Sequence, residues 1–185
     1  MTAAERLVAE AGPDALSVRE VAARAGTTTR AVYSLFGSKQ GLLTALARQA
    51  YEQLRTTVAA LPETDDPVAD LLAAGVHGFR PFVRDHPSLF RIAFQRVVPG
   101  LQPAAELTAA RERALAPLTA RVQRVQDAGL LGSKSILEAA IQFHTMCEGL
   151  ANAELRGAIL PILPAGDEEA AWRDSLSTLV MGFRA

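Results

Sequence analysis

The sequence predicts an all-helical protein, with a head of three short N-terminal helices and a larger C-terminal helical bundle, about nine helices in all. Three observations carry this. Ala, Leu, Arg and Glu dominate the 185 residues and aromatics make up only 5%, a composition that favours helix over strand. Apolar residues recur at helical spacing between Gly and Pro breaks. The chain is 49% hydrophobic, with no disorder-prone block to stop it burying a core.

The elements follow in order. Residues 2–11 form a short helix with Leu7, Val8 and Ala11 on its apolar side, ended by Gly12-Pro13. Ser17-Val18-Arg19-Glu20 reads as a capping box, in which Ser17 accepts from the Glu20 amide and Glu20 reaches back. The second helix points Val18, Val21, Ala22 and Ala25 inward, and Gly26 ends it. A third opens at Thr27-Thr28-Thr29, capped by Thr28, with Val32, Leu35 and Phe36 as its apolar side and Gly37 as its stop. Two short helices joined by a tight Gly-containing turn make a helix-turn-helix. Ser38 caps a fourth helix that runs through Leu42, Leu43 and Leu46 towards Leu61-Pro62.

Beyond the polar, Pro-flanked segment 62–67 the helices lengthen, to about 68–85, 88–98, 103–128, 134–156 and 168–183. Breaks fall at 86–87, 99–100, 129–133 and 161–166, and Pro117 should kink the helix that contains it. The helix 134–156 carries two apolar stripes, one of them Leu137, Ile141, His144, Ala151 and Leu155. The last helix has Trp172, Leu176, Leu179 and Phe183. A helix apolar over most of its circumference must be covered over most of it. Two such helices can pair with their copies in a four-helix dimer interface, using Leu137, Ile141, His144, Ala151, Leu155, Trp172, Leu176 and Leu179. Placement in the core of a single chain accounts for the same pattern. The expected division is a head of residues 1–47 and a body of residues 48–185.

Charge is uneven. Residues 17–48 hold five basic residues and one acid, whereas the chain from Thr56 onward holds twelve basic and fifteen acidic. A basic head on a mildly acidic body suits a polyanion at one end, although a solvated helix face has the same composition. No run approaches the roughly 18–20 apolar residues of a membrane span, and no secretory signal pattern opens the chain. With Cys147 as the single cysteine, no internal disulfide forms, and the expected location is cytoplasmic, with no membrane partner.

A helix lying in the major groove presents its first turn to base edges. That turn is Thr28, Thr29 and Arg30. Threonine can bond a base or phosphate, and arginine can grip guanine bidentately. Arg19 opens the second helix, Tyr33 follows one turn into the third, and Lys39 lies in the first turn of the fourth; each can reach a phosphate. Capping accounts equally for Thr28, and ordinary surface positions for Arg30 and Lys39.

The segments Leu16-Ser17-Val18-Arg19-Glu20-Val21-Ala22-Ala23-Arg24-Ala25-Gly26 and Ala31-Val32-Tyr33-Ser34-Leu35-Phe36-Gly37-Ser38-Lys39, followed by Leu42-Leu43, resemble the DNA-binding segment of TetR-family regulators. The resemblance implies an all-helical homodimer that binds double-stranded DNA, usually a repressor released by a small molecule. By position it makes Arg19, Thr29, Arg30 and Tyr33 DNA contacts and Lys39 a phosphate-holding lysine. Two features depart from it: the first helix begins almost at Met1, and Gly41 stands where an acid is common. Glycine there should weaken the helix start by a fraction of a kcal/mol to roughly 1 kcal/mol. In the body, His86-Pro87-Ser88-Leu89-Phe90-Arg91 and residues 148–155 are loosely similar to one TetR subgroup, but Cys147-Glu148-Gly149 replaces its usual Trp-His-Gly.

The expected function is therefore a ligand-responsive DNA-binding regulator, most simply a repressor released from a palindromic operator by a small apolar effector. Phe79, Phe82, Phe90, Phe94 and Phe143, with Arg91 and Gln142 as polar groups, are the candidate effector pocket. A plain core stripe explains the phenylalanines as well. The alternative is a helical interaction or scaffold protein whose helix-turn-helix no longer reads DNA. An enzyme is not expected: His77, His86 and His144 lack partners at metal spacing, and there is no nucleophile elbow or Gly-rich phosphate loop. No cofactor is expected.

Overall fold

The computed structural model describes residues 1–12, 15–94, 105–158 and 167–184. Every regular element among these residues is helical: α1 (Thr2–Ala11), α2 (Val18–Arg24), α3 (Thr29–Phe36), α4 (Lys39–Ala59), α5 (Pro67–Ala73), a π-helical segment (Ala74–Phe79), α6 (Arg80–Asp85), α7 (Pro87–Phe94), α8 (Ala105–Asp127), α9 (Ile136–Leu155) and α10 (Glu168–Met181) with a closing 3₁₀ turn (Gly182–Arg184). The stretch from α5 through α6 is one helical run, so the described residues form nine runs. The expected helix at 95–98 and 103–104, the breaks at 99–100 and 161–166, and Pro13 lie outside the described residues.

Two compact units emerge. The first comprises Met1–Gln53 and His86–Arg113. Its core around the helix-turn-helix is Val18, Ala22 and Val32, with Phe36 packed against them. The C-terminal contribution comes from α7, which packs against α1. His86 Nδ1 lies 2.8 Å from Glu5 Oε1, and Gln49 Nε2 donates to Glu5 Oε2 at 3.2 Å. Tyr51 adds a hydrogen bond from its hydroxyl to the Ala93 carbonyl at 2.9 Å and an edge contact with Phe94 at 5.3 Å. The two Glu5 contacts join residues on either side of position 47, and pairs more than forty residues apart leave no local pattern to read.

The second unit comprises Leu54–Asp85 and Ala114–Ala185. Here α9 packs on α10, and both meet the π-segment. A buried ionic cluster joins them. Arg80 Nε donates to Glu154 Oε2 at 3.0 Å, and the same oxygen accepts the Trp172 indole N–H at 2.7 Å. Glu168 and Glu169 add longer contacts to the guanidinium, at 3.5 and 3.7 Å. Removing one member of a buried pair leaves an uncompensated charge and costs about 3–5 kcal/mol. At the start of α9, Ser135 and Glu138 form a reciprocal capping box.

Three side chains expected to point inward do not. Leu35 is 76% exposed: it lies well to one side of the stripe made by Val32 and Phe36, which are one turn apart. Ala11 and Ala25 are exposed at the ends of their helices, while Ala4 takes the inward position on α1. Pro117 lies inside α8, which continues through it.

Candidate nucleic-acid interface

The interface is built from the N-terminal starts of three consecutive helices, α2, α3 and α4. Ser17 accepts from the Glu20 amide at 3.1 Å, starting α2 with Arg19 in its first turn. Glu20 does not close a box with Ser17; its carboxylate accepts from Arg24 Nε at 3.0 Å. Gly26, at φ 62°, turns the chain. Thr28 caps α3 by accepting from the Ala31 amide at 3.2 Å, which leaves its methyl, with Thr29 and Arg30, as the leading edge of that helix. Ser38 caps α4 by accepting from the Gly41 amide at 3.0 Å, with Lys39 as the first helical residue.

All six candidate DNA contacts (Arg19, Thr28, Thr29, Arg30, Tyr33 and Lys39) are exposed. Tyr33 is 53% exposed although it is aromatic. Exposure alone would suit any surface, so the charge pairing decides more. Arg24 is bound by Glu10 and Glu20, and those hydrogen bonds raise its pKa further. Arg48 faces Glu106 at 3.8 Å. Arg19 and Arg30 engage no partner among the described residues. Arg19 in the first turn of α2 and Arg30 in the first turn of α3 therefore keep, among the described residues, their full donor forks for an incoming anion.

Gly41 was not legible as part of this site. A Cβ on it would run into the Phe36 carbonyl oxygen, a backbone atom. Bare Cα packing at Gly41 is what lets α4 start so close behind the end of α3. The helix-propensity reading of this glycine, a weak helix start, missed that contact because it depends on the turn's geometry.

The other predicted groups are placed as follows. Phe79, Phe82 and Phe143 are buried in the second unit, with Phe79 edge-on to Phe82 at 6.5 Å and to His144 at 5.5 Å. Gln142 on α9 is exposed. In the first unit Phe90 is buried and stacks on the half-buried Phe94 at 5.5 Å, while Arg91 is exposed. An open groove of about 490 Å³ in that unit runs beside Phe36, Arg48, Gln49 and Arg113 and includes none of the seven pocket candidates. Of the interface candidates, Leu137 and Ile141 are exposed at 56% and 52%, whereas Ala151, Trp172 and Leu176 are fully buried within one chain. His144, Leu155 and Leu179 are half-buried. Cys147 is buried, and burial, with Glu148 nearby, pushes its thiol pKa far up, which disfavours the thiolate. No group of three metal-ligating side chains occurs among the described residues, and no described helix is long and apolar enough to cross a membrane.

A small helix-turn-helix unit with a basic leading edge, in a chain whose remaining described elements are all helical, defines a DNA-binding transcriptional regulator. Comparison with known proteins names the family. The model of the bacterial regulatory proteins, tetR family, matches residues 1–46, and that of a tetracyclin repressor-like C-terminal domain matches residues 72–179. The chain belongs to the TetR family. Solved structures of the same fold include a protein of unknown function from Rhodococcus sp. RHA1 (TM-score 0.78, 23% identity, 96% of this chain and 91% of that one). The fatty acid degradation regulator FadR from Bacillus halodurans is similar at TM-score 0.76 and 18% identity, over 97% and 91% of the two chains. PfmR, a TetR family transcriptional regulator from Thermus thermophilus, is similar at TM-score 0.69 and 20% identity, over 96% and 94%. Comparison with curated protein sequences gives no match.

Proposed function

We propose that this protein is a repressor that binds a palindromic operator as a homodimer and is released by a small apolar effector. The observation that carries the DNA-reading part is the pair of exposed arginines, Arg19 and Arg30, which have no partner among the described residues, in the same helix-turn-helix segment as Thr29, Tyr33 and Lys39. Base reading falls to Arg30 and Thr29, and phosphate contacts to Arg19, Tyr33 and Lys39; Thr28 caps the helix and offers its methyl. Residues 1–47 form the reading head in this scheme and residues 48–185 the body.

The dimer reading rests on Leu137 and Ile141, large apolar side chains left bare on α9, with His144, Leu155 and Leu179 at the margins. The side chains of Ala151, Trp172 and Leu176 hold the protomer together and are set aside. The effector reading rests on the aromatic group Phe79, Phe82 and Phe143; Arg91, Gln142, Phe90 and Phe94 are not carried into it. FadR's role in fatty acid degradation fits an effector with an apolar chain. Such a ligand acts only by binding one of two body states better than the other.

Selection from random duplex DNA, followed by titration at several salt concentrations, tests this. A palindrome should emerge, and affinity should fall with salt by about 0.9 log unit per log unit for each phosphate neutralised. Arg30→Ala should cost about 1–3 kcal/mol on the selected site and relax preference at one position in each half-site. Selection of no sequence, with salt-independent binding, would favour the scaffold reading and sink this one.

A further inference from the structure

The groove beside Phe36 belongs neither to the DNA-reading residues nor to the aromatic group of the body. Its volume of about 490 Å³ lies within the range of small-molecule sites, and every residue lining it belongs to the first unit. One part of its wall is a stripe of α4. Ala45, Arg48, Gln49 and Glu52 recur at steps of three and four residues and so share a helix face. A second part is Ala110 and Arg113, three residues apart on α8. A third is Phe36, the last residue of α3, which packs against the core of the helix-turn-helix.

The charges of this wall are unequal. Arg113 engages no partner among the described residues, and Arg48 has only Glu106, at 3.8 Å. Glu52 is the single acid among the described residues of the lining. Both arginines are exposed, whereas Phe36 and Ala45 are half-buried and keep part of their apolar surface bare. Guanidinium forks match the two oxygens of a carboxylate. A concavity that joins two such forks to bare apolar surface suits a molecule with an anionic head and an apolar chain.

We propose that this groove is a second small-molecule site, which takes an amphipathic carboxylate: the head pairs with Arg48 and Arg113, and the chain lies on Phe36, Ala45 and Ala110. The site is separate from Phe79, Phe82 and Phe143, and the inference does not rest on the effector reading of that group. A chain seated on Phe36 touches the core of the helix-turn-helix directly.

The test uses the full-length protein and a photoactivatable decanoate, with labelled peptides mapped by mass spectrometry. Labelling of residues 36–52 and 105–113 should saturate and be displaced by free decanoate, but not by acetate. Decanol, which has the chain without the charge, should displace it about tenfold less well or worse. Arg48→Ala with Arg113→Ala should raise the half-saturating concentration at these peptides about tenfold or more. Both positions are exposed, so the double variant should keep its Tm. Glu52→Gln, which removes the opposing charge, should bind decanoate at least as tightly as the wild type. Ala45→Phe, which fills the groove, should abolish labelling there; if it does not fold, the arginine variant decides. Labelling confined to the body, or a double variant within about twofold of wild type, overturns the inference. Equal displacement by decanol also overturns it, since apolar adsorption would then suffice. Weaker binding in Glu52→Gln does so too, because the site would then read a cation. Additional labelling around Phe79, Phe82 and Phe143 reports on the effector reading alone.

Discussion

Gly41 reverses the usual sign of a glycine in a helix. Replacing such a residue by alanine ordinarily stabilises by about 0.5–1 kcal/mol. Here the added methyl meets the Phe36 carbonyl oxygen, and backbone atoms cannot rotate away as a flexible side chain can. Gly41→Ala should therefore destabilise the protein by about 1–3 kcal/mol, the range for overpacking, as read from urea unfolding. A gain in stability would mean that the α3–α4 turn relaxes freely. Thr28 and Ser17 were legible because capping is local, needing only a hydroxyl three residues before an amide. Gly41 was not, because its constraint comes from a carbonyl brought round by the turn. Arg24 was misleading in the same way: it counted towards the basic head, yet Glu10 and Glu20 hold it.

Among the elements, α1 through α4 could be placed from caps, glycine stops and 3.6-residue periodicity. The region after α4 could not be resolved so finely. Residues 68–85 read as one helix, and residues 67–85 are one helical run, but its middle is π-helical, and the wider turn leaves no mark in the apolar pattern. The clasp at the start of α5 was also hidden. Asp70 is buried, and burial alone would raise its carboxyl pKa. The Thr64 amide, the Arg124 guanidinium and the Thr64 hydroxyl overcome that and hold it below the ordinary carboxylate value. The folded state thus binds this proton less readily than the unfolded chain does. The resulting stability is complete above the unfolded pKa of about 4 and drains away as pH falls through the lower folded value. Asp70→Asn should weaken the protein at neutral pH and flatten the decline of stability below about pH 4. An unchanged acid limb in denaturant titrations would show that the clasp contributes nothing to it.

For the whole molecule, fold class and family were legible, but the grouping of the body's helices was not. Composition and periodicity marked out the helices, whereas Tyr51–Ala93 and Arg80–Glu154 are pairings over 42 and 74 residues that no local pattern encodes. The apolar stripe of α10 was ambiguous between a partner chain and the protomer's own core, and Trp172 and Leu176 belong to the core. That leaves Leu137 and Ile141 as the apolar centre of the proposed dimer. Placing a charge at both, Leu137→Glu with Ile141→Glu, should yield a folded monomer by light scattering that loses most of its operator affinity, since two half-sites are then read independently. A double variant that stays dimeric would move the interface elsewhere.

The Arg80–Glu154–Trp172 cluster also has a practical consequence. Trp172 is the only tryptophan in the chain, and its indole N–H ends on the carboxylate that Arg80 also holds. Light that excites tryptophan selectively therefore addresses one spot, the seam between α9 and α10. The protein carries its own unlabelled optical gauge of that seam, and its emission can be followed while DNA, a candidate effector or a second subunit is added.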